Sequence, residues 1–498
     1  MKTTSPTGQD VSHLTADEEA VFMCETALGL KDQADGNGAL KAMRPLWSQL
    51  GERPITEGLS PSVAAEVLLT AGILTGWVGS RTESRAAQEE AKNLISESIT
   101  HFESVDNKES LGAAQAEIAY CYWRTGQLSE ARIMLLEALE HLPAGNSRAR
   151  ALIKLTSIES SDLRFDVSSR LLAENAALFE SVSDHTTKGS YHNEIAIVLR
   201  NFAKAEPLKR EEYLQKALGE FEKADHHFAL GRNSVYRAAV KNNVGLILFN
   251  LHRYKEAHKY LLEAQRLTTS LKDKVRVAQI DETRAQVFIA ENKLTDAETV
   301  IRQAILVFEK SGQQSLLAAA LVTQGIVLAR LKQLERAQFI LEKAIEVATQ
   351  AGASNVAGLA ALTMIEELPD LARPALQSAF RRASEGLATS LNQDLIGRFH
   401  AAANKVFAAL NEEEKPTAEV IASPCSLQEE VLKFEATLIR RALAEANGSV
   451  TRAASLLTLS YQALAYIIGG RQKDLLKERS PVRHRQSQKK GMQSRARR

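Results

Sequence analysis

Three stretches of the chain repeat one pattern at a fixed spacing of 40 residues: GLILFNLHRYKEAHKYLLEAQ at 245–265, AQVFIAENKLTDAETVIRQAI at 285–305 and GIVLARLKQLERAQFILEKAI at 325–345. A fourth copy, AYCYWRTGQLSEARIMLLEAL, begins at Ala119. Each copy starts with a small residue and places an alanine twelve residues later and another nineteen residues later. These alanines are Ala131, Ala257, Ala297 and Ala337, followed by Ala138, Ala264, Ala304 and Ala344. The pattern therefore predicts a tandem array of one structural unit.

The unit is predicted to be a pair of antiparallel helices. Small residues let two helices approach closely, and the large apolar residues of the pattern fill the groove between them. Aromatic residues make up only 5% of the chain, and 11 prolines in 498 residues are few for a sheet protein with its many turns. The expected fold class is therefore all-α.

This pattern resembles the tetratricopeptide repeat, and the first copy ends at Pro143, where that family places its closing proline. The period of 40 exceeds the family's usual ~34 residues, which implies longer helices. Two degenerate copies are expected between the first copy and the other three. Ala217, Phe221 and Ala224 fit the second helix of one, and Ser169, Ala173 and Ala176 fit the other. The resemblance implies six or seven hairpins between about Pro61 and Ala351, stacked as a right-handed α-solenoid. We expect a lead-in with the first helices at 1–60, the array at 61–363 and capping helices at 364–411.

The resemblance also implies a binding groove for a peptide or protein on the concave face of the array. The expected groove residues lie on the first helix of each hairpin: Tyr120, Trp123, Asn242, Leu246, Glu282, Gln286 and Ile326. The alternative is that the same side chains only pack against the next hairpin.

A different pattern follows the polar stretch at 412–426, which its prolines and lack of periodicity mark as a linker. Apolar positions on one helical face come first, at Val431, Phe434, Leu438, Ile439, Ala442 and Leu443. Asn447-Gly448 then ends this helix, Ser449 caps a short helix at 450–457, and Ser460 caps a third helix that stops at Gly469-Gly470. Three helices with these two turns predict a DNA-binding helix-turn-helix.

Residues 427–470 closely resemble the Fis-type helix-turn-helix, as in factor for inversion stimulation and in nitrogen-regulator-type activators. The carrying residues are Thr451-Arg452-Ala453-Ala454, the leucines 456, 457 and 459, Ser460 and Leu464. The turn position that the family usually gives to glycine holds Thr458. The resemblance implies DNA as a partner and a homodimer formed through the first helices.

Ten residues are the candidate DNA contacts. The resemblance assigns phosphate binding to Ser449 and Thr451, and base-edge positions to Ser460, Tyr461, Ala465 and Tyr466. Gln462 could pair with adenine, and phosphate attraction is expected from Arg452, Arg471 and Lys473, with Lys477 and Arg479 beyond them. The family often has arginine or lysine in the recognition helix, whereas SYQALAYII carries no charge. The alternative is a domain that no longer binds DNA and only dimerises.

Charge divides the chain in the same way as the motifs. From Ala418 onward there are 15 basic and 7 acidic residues, a net charge of +8, which leaves 47 basic and 54 acidic residues, −7, at 1–417. The overall charge of +1 hides this division. A basic tail at 471–498 would add salt-dependent affinity for phosphates.

No chemistry of an enzyme is visible in the sequence. Nucleotide-binding glycine loops, the zinc-protease H-E-x-x-H motif and the hydrolase G-x-S-x-G motif do not occur. The three cysteines lack metal-site spacing, and His226-His227 are helix neighbours that do not face each other. No cofactor and no metal are expected. The stretch Val63–Gly79 is interrupted by Glu66 and threonines, so no membrane span is expected, and the N-terminus lacks a secretory signal.

These observations predict a cytoplasmic, non-enzymatic transcriptional regulator with a protein- or peptide-sensing array. The runner-up is a protein–protein adaptor whose basic C-terminus binds nucleic acid non-specifically.

Overall fold

The computed structural model describes residues 14–33, 35–82, 84–411 and 426–478. The chain divides into two compact units, residues 1–410 and 411–498. Helices and turns account for all the regular structure in these ranges, which confirms the all-α class. The expected linker lies outside the described residues except for Ser426, and so do residues 479–498 of the expected tail.

Unit one begins with two helices and continues as successive hairpins. The lead helices are α1 (Ala16–Asp32) and α2 (Gly36–Ala42). The array contains α3 (Pro61–Arg81), α4 (Arg85–Ser104), α5 (Lys108–Arg124), α6 (Leu128–His141), α7 (Asn146–Ser161), α8 (Phe165–Glu174), α9 (Ala176–Ser181), α10 (His185–Ala205) and α11 (Arg210–Leu230). It continues with α12 (Ser234–Asn250), α13 (Tyr254–Ser270), α14 (Lys274–Ala290), α15 (Leu294–Ser311), α16 (Gln314–Arg330) and α17 (Leu334–Gln350), and ends with α18 (Ser354–Glu367), α19 (Arg373–Leu387) and α20 (Gln393–Asn411).

The repeated small residues are the points where paired helices touch. A Cβ added at Gly245 would lie 2.7 Å from Leu261, and one added at Gly325 would lie 2.5 Å from Leu341. Both leucines are fully buried, as are the repeated alanines of α13 and α17. Helices this close leave no space for a larger residue, which is why the pattern repeats.

In the hairpins α12–α13, α14–α15 and α16–α17 the turn is built without glycine, whereas Gly126 takes the left-handed position between α5 and α6. His252, Asn292 and Lys332 each adopt a left-handed conformation, with φ of 58°, 60° and 63°. The next residue then donates its N–H to a carbonyl in the last turn of the preceding helix, as from Arg253 to Leu248 at 2.8 Å. This backbone bond satisfies a carbonyl group at the end of the helix and offsets the strain of one residue in the left-handed conformation.

Seven hairpins fill the region from Pro61 to Gln350, in agreement with the expected α-solenoid. The degenerate copy in α11 was placed correctly, since Ala217, Phe221 and Ala224 are fully buried. In α8 the expected register, with Ser169, Ala173 and Ala176 inward, was wrong by one residue. Ser168 and Leu172 are the buried residues there, because Ser168 bonds back to the carbonyl of Thr156 at 3.1 Å.

The array continues past its expected end. Helix α18 pairs with α19 as an eighth hairpin, so the boundary expected at 363/364 falls inside α18. Helix α20 then packs against this end, and its Asp394 pairs with Arg210 at the start of α11. A contact across 184 residues shows that the solenoid curves back on itself.

Helix α3 is the apolar stretch for which no membrane span was expected. Its segment Pro61–Ser80 is in fact long and apolar enough to cross a membrane by length and composition, despite Glu66. In the structure 61% of this window is buried, and α3 packs against α1, α4 and α5 as a core helix does.

Unit two contains α21 (Leu427–Glu445), α22 (Val450–Leu456) and α23 (Tyr461–Gly469), followed by a 3₁₀ helix at Lys473–Glu478. The domain was expected to end at residue 470. It continues to 478, because Leu475 is buried against the three helices and buried Gln472 donates to the carbonyl of Leu432 at 2.8 Å.

Candidate nucleic-acid and partner-binding sites

The helices of unit two are joined by two tight turns. Asn447 and Gly448 both adopt left-handed conformations, and the N–H of Gly448 bonds the carbonyl of Leu443 at 2.8 Å. At the second turn Thr458 has a φ of 54°, which a β-branched residue adopts only with strain. The turn chemistry expected from the sequence is therefore present, including the threonine in the usual glycine position.

Ser460 fixes the start of α23. Its Oγ accepts the N–H of Ala463 at 3.1 Å, as the predicted N-cap should. Leu464 and Ile468 then point into the core with Ala453 and Ala454. The opposite side of α23 is thereby turned outward.

The outward face of α23 holds the expected base-reading residues. Tyr466 is 82% exposed and Tyr461 is 52% exposed, Gln462 is exposed, and Ala465 is half-buried. Within the described part of the chain, neither tyrosine hydroxyl nor the amide of Gln462 has a hydrogen-bond partner. A nine-residue helix with free polar groups on one side can present them to the major groove.

The expected phosphate contacts lie near the start of α22. Ser449 occupies the N-cap position, but its side chain makes no capping hydrogen bond, in contrast to Ser460. Thr451 and Arg452 are exposed on the first turn. The side chains of Ser449, Thr451 and Arg452 are therefore available to hydrogen-bond with a partner molecule.

Arg471 is held inside the domain. Its Nε donates to Glu435 Oε2 at 2.9 Å, and its Nη2 bonds the second oxygen of the same carboxylate. This bidentate pair holds the pKa of Glu435 below its ordinary value. Lys473 is exposed and has no ion pair in the described residues. Arg471 was expected to attract phosphate, and in this structure it fastens the end of the domain to α21.

The expected groove residues of the array are all half-buried, and most contact each other or the next hairpin. The indole N–H of Trp123 donates to Ser161 Oγ at 3.0 Å, and the Trp123 ring meets Tyr120 edge-on at 5.6 Å. Glu282 accepts bonds from Gln286 at 2.6 Å and from Thr323 at 2.8 Å. The bonds to Ser161 and from Thr323 join first helices of successive hairpins, and the other two contacts lie within one helix.

Asn242 differs from the others. Its Oδ1 is buried and has no hydrogen-bond partner in the described structure. Leu246 lies one turn further along α12, and Ile326 packs on the neighbouring core. A buried carbonyl oxygen without a donor costs about 1–3 kcal/mol, which an incoming N–H group would recover.

First helices that are distant in sequence face a common interior. Surrounding protein raises the pKa of Tyr236 on α12, although 46% of this residue is exposed, and the charges of Lys31, Asp32 and Arg276 and the hydroxyl of Tyr120 also act on it. The end of α1 (Lys31, Asp32), α5 (Tyr120), α12 (Tyr236) and α14 (Arg276) thus lie within electrostatic range of one another. Six of the expected groove residues lie on α5, α12 and α14, and Ile326 lies on α16.

A sequence profile of the Fis family of bacterial regulatory proteins matches residues 431–466. The C-terminal helix-turn-helix is a Fis-family domain. No curated protein matches the chain.

The chain is also similar to a number of solved structures. The quorum sensor NprR from B. thuringiensis is 12% identical, with a TM-score of 0.49, and the match covers 68% of this chain and 89% of NprR. A Rap protein complexed with Competence and Sporulation Factor is 12% identical, with a TM-score of 0.47, over 70% of this chain and 98% of that one. A STAND protein with a tetratricopeptide repeat sensor from Pyrococcus horikoshii is 15% identical, with a TM-score of 0.47. The match covers 81% of this chain and 65% of the STAND protein.

The first helix of the Fis-family domain has two apolar faces, where the sequence suggested one. Ile439, Ala442 and Leu443 are buried in the domain core. Val431, Phe434 and Leu438 are exposed, by 57%, 67% and 40%, and form the stripe that we call the α21 apolar stripe. Their spacing of three and four residues, one position out of step with the core residues, was the signal in the sequence.

Proposed function

We propose that the chain is a sequence-specific DNA-binding transcriptional regulator, cytoplasmic and non-enzymatic, whose repeat array senses a protein or peptide. The observation that carries the proposal is the outward face of α23, where Tyr461, Gln462 and Tyr466 stand free in a Fis-family domain. Polar groups without internal partners are available to base edges and phosphates.

In this proposal the protein acts as a homodimer. The α21 apolar stripe offers a second copy an exposed helix face, and a symmetric contact between two such faces closes on itself. Two recognition helices would then meet a pseudo-palindrome with half-sites about one DNA turn apart.

The array supplies the signal in this proposal. The unpartnered Oδ1 of Asn242 in the concave groove favours an extended peptide, whose main-chain N–H groups match a buried acceptor. Ligand binding in the groove would change DNA affinity through a coupling free energy of about 1–3 kcal/mol.

The adaptor with non-specific nucleic-acid binding is the second candidate. It is favoured by the absence of charge on α23 and by the pairing of Arg471 with Glu435, which removes one cation from the DNA-facing set. In that case the eight basic residues at 479–498 would carry the binding.

The experiment that separates the two uses the full-length protein. Sites are first selected from random duplexes, and the dissociation constants for the selected and a scrambled duplex are then measured by fluorescence anisotropy. Regulator function predicts that Gln462→Ala lowers the ratio of the two constants about tenfold, since a bidentate base contact contributes about 1–3 kcal/mol of discrimination.

Two control variants complete this experiment. Gln428→Ala removes another exposed glutamine of unit two and should leave the ratio unchanged. Truncation after Glu478 should weaken both duplexes alike and reduce the salt dependence. Equal affinity for all duplexes, lost only on truncation, would establish the adaptor instead.

A further inference from the structure

Four histidines meet at one end of the hairpin that α10 and α11 form. His185 begins α10, His192 lies two turns further along the same helix, and His227 lies in the last turn of α11. The rings of His185 and His192 stack on His227 at 5.4 and 5.6 Å, with angles between the ring planes of 24° and 3°. His226 meets the ring of His227 edge-on at 5.6 Å. The adjacent histidines of α11, which indicated no site in the sequence, thus belong to a cluster that the fold assembles.

The contact between His185 and His227 limits the number of protons that the two rings can hold. Their Nδ1 atoms are 3.2 Å apart, and a hydrogen bond between two ring nitrogens needs one donor and one acceptor. A protonated imidazole has donors only, so the contact is lost when both rings are protonated. Both side chains are half-buried, which weakens the screening of two such charges by water. Acid therefore acts directly against this contact between the helices.

Positive charge predominates around His227. Desolvation lowers the pKa of His227 from the ordinary 6.5, and the charges of His192, His185, His226 and Lys188 lower it further. Because the folded protein lowers this pKa, the neutral ring stabilises the array fully above pH 6.5. That stability is lost as the pH falls from 6.5 through the lowered pKa.

The carboxylates near the cluster already have partners. Glu220 Oε2 accepts the Nδ1–H of His192 at 2.7 Å, while its Oε1 bonds Lys223 at 2.7 Å. Asp184 caps the start of α10 and accepts two backbone N–H groups of its first turn, at 3.0 and 3.2 Å. Within the described residues, Glu220 is the carboxylate that bonds one of the four imidazoles. One imidazolium can therefore be neutralised at His192, whereas a proton on His227 meets other positive charges.

The helices on either side bring further charged groups. On α12, Arg237 pairs with Asp225 of α11 at 3.0 Å. On α9, the main-chain carbonyl of Glu180 accepts Lys188 Nζ at 2.8 Å. The charges of Glu180 and Glu220 raise the pKa of Tyr191 after the larger effect of burial. These groups leave the balance at His227 positive.

The cluster lies where this hairpin joins its neighbours. The turn Gly231–Asn233 follows directly after α11, and a Cβ added at Gly231 would lie 2.9 Å from Thr186 Oγ1 at the start of α10. Helix α10 also belongs to two separate cores. Val198 packs with α7 to α9, and Ala196 packs with α11 and α12. Loosening α10 from α11 at this end therefore affects the joint between the first three hairpins and the rest of the array.

We propose that the four histidines form an acid-sensitive latch between α10 and α11, which is closed while His185 and His227 share one hydrogen bond and opens when both rings are protonated. The latch goes beyond the proposed binding of DNA and peptide and does not depend on either. Protonation of clustered histidines is a general means of switching a contact between two helices.

Hydrogen exchange of the full-length protein, followed by mass spectrometry, measures the latch. Protection factors at pH 7.5 and pH 5.5 are compared for peptides that cover 182–192 and 223–234, after correction for the intrinsic exchange rate at each pH. All buffers contain EDTA, so that a metal ion bound by histidine cannot cause the response. We expect protection to fall about tenfold, because opening that takes up one proton becomes tenfold more favourable for each pH unit below 6.5. Peptides of α16 and α17 should keep their protection.

Glu194 on the same helix responds to pH in the opposite direction. Burial raises its pKa to about 7, against hydrogen bonds from Ser157 and Asn193, so its protonation at lower pH favours folding. Each histidine variant is therefore compared with the wild type at the same pH, where the contribution of Glu194 is common to both.

Variants identify the rings that respond. His227→Gln removes the titrating ring but keeps a side chain that can donate to His185 Nδ1. It should match the wild type at pH 7.5 and keep at pH 5.5 the protection that the wild type loses. His185→Gln tests the same contact from the other helix and should give the same result. His258→Gln is the matched control, because His258 is a half-buried histidine of α13 that bonds Glu291 at 2.8 Å, and it should respond to acid like the wild type.

Two results would overturn the proposal. One is wild-type protection at 182–192 and 223–234 that stays constant between the two pH values. The other is a loss of protection at pH 5.5 that is as large in His227→Gln and His185→Gln as in the wild type. Neither result bears on the effect of Gln462→Ala on DNA discrimination, so failure of the latch is distinguishable from failure of the proposed regulator.

Discussion

The α21 apolar stripe makes a quantitative prediction about self-association. Phe434 is its most exposed member, at 67%, and it takes no part in the core of the Fis-family domain. Phe434→Ala should therefore leave the domain folded and weaken the proposed homodimer.

The magnitude follows from the exposed area of the ring. An aromatic side chain offers roughly 200 Å² for burial, so about 130 Å² of Phe434 is available on each protomer. A packed helix covers one side of the ring, which leaves about half of that area to be buried in each copy. At about 25 cal/mol per Å², two copies lose about 3 kcal/mol, or roughly a hundredfold in the dimer dissociation constant.

Sedimentation equilibrium of the full-length protein measures this constant directly. Ile133→Ala is the matched control, since Ile133 is an apolar residue of α6 with 52% exposure and lies outside unit two. The circular dichroism of all variants should be the same. A wild type that stays monomeric at every concentration, or a Phe434→Ala dimer as tight as the wild type, would refute the assignment of the stripe to dimerisation.

Three further predictions concern stability. Burial raises the pKa of Glu194 from the ordinary 4.5 to about 7. Folding is therefore favoured while this carboxyl is protonated, and that stability is lost as the pH rises through about 7. Glu194→Gln should raise the melting temperature at pH 8, by an effect on the order of 3 kcal/mol, and leave it nearly unchanged at pH 4.5. Gly325→Ala should destabilise the array by about 1–3 kcal/mol, because the new methyl would lie 2.5 Å from buried Leu341. Gly219→Ala places its methyl in open space and should stabilise the array by up to about 1 kcal/mol. Thermal melts that rank the two variants in the opposite order would contradict the packing. Thr458→Gly should relieve left-handed strain and stabilise unit two by about 1 kcal/mol, seen as slower amide hydrogen exchange in α22, and faster exchange would show that the threonine is not strained.

The repeat array was predictable because one sequence position fixes one contact. A small residue such as Gly245 sits opposite Leu261 in the same hairpin, so the spacing in the sequence directly encodes the approach of two helices. The degenerate copy in α8 lacked this signal. There Ser168 is buried through its own hydrogen bond to Thr156, which a search for alanines could not find.

The domain ends and the paired charges were not predictable for a different reason. Arg471 and Glu435 are 36 residues apart, and each taken alone resembles a solvated surface charge. Their pairing depends on how the chain turns after α23, where Leu475 enters the core. The two faces of α21 were visible as a periodicity, but only the packing of α22 and α23 decides which of them the domain buries.

The pairing of Arg471 also bears on how affinity and selectivity are divided. With Arg471 bound to Glu435, Arg452, Lys473 and Lys477 are the cations expected to attract phosphate that remain without an ion pair in the described part of the domain, while eight basic residues follow at 479–498. Attraction to phosphate falls steeply with salt, whereas the proposed hydrogen bonds from Gln462 to a base edge should depend little on it. Higher salt should therefore weaken binding to every duplex and leave the ratio between selected and scrambled duplexes nearly constant in the truncated protein. Glu435→Gln, which releases Arg471, should raise affinity for both duplexes together and steepen the salt dependence, because the released charge lies beside the recognition helix and not on its reading face.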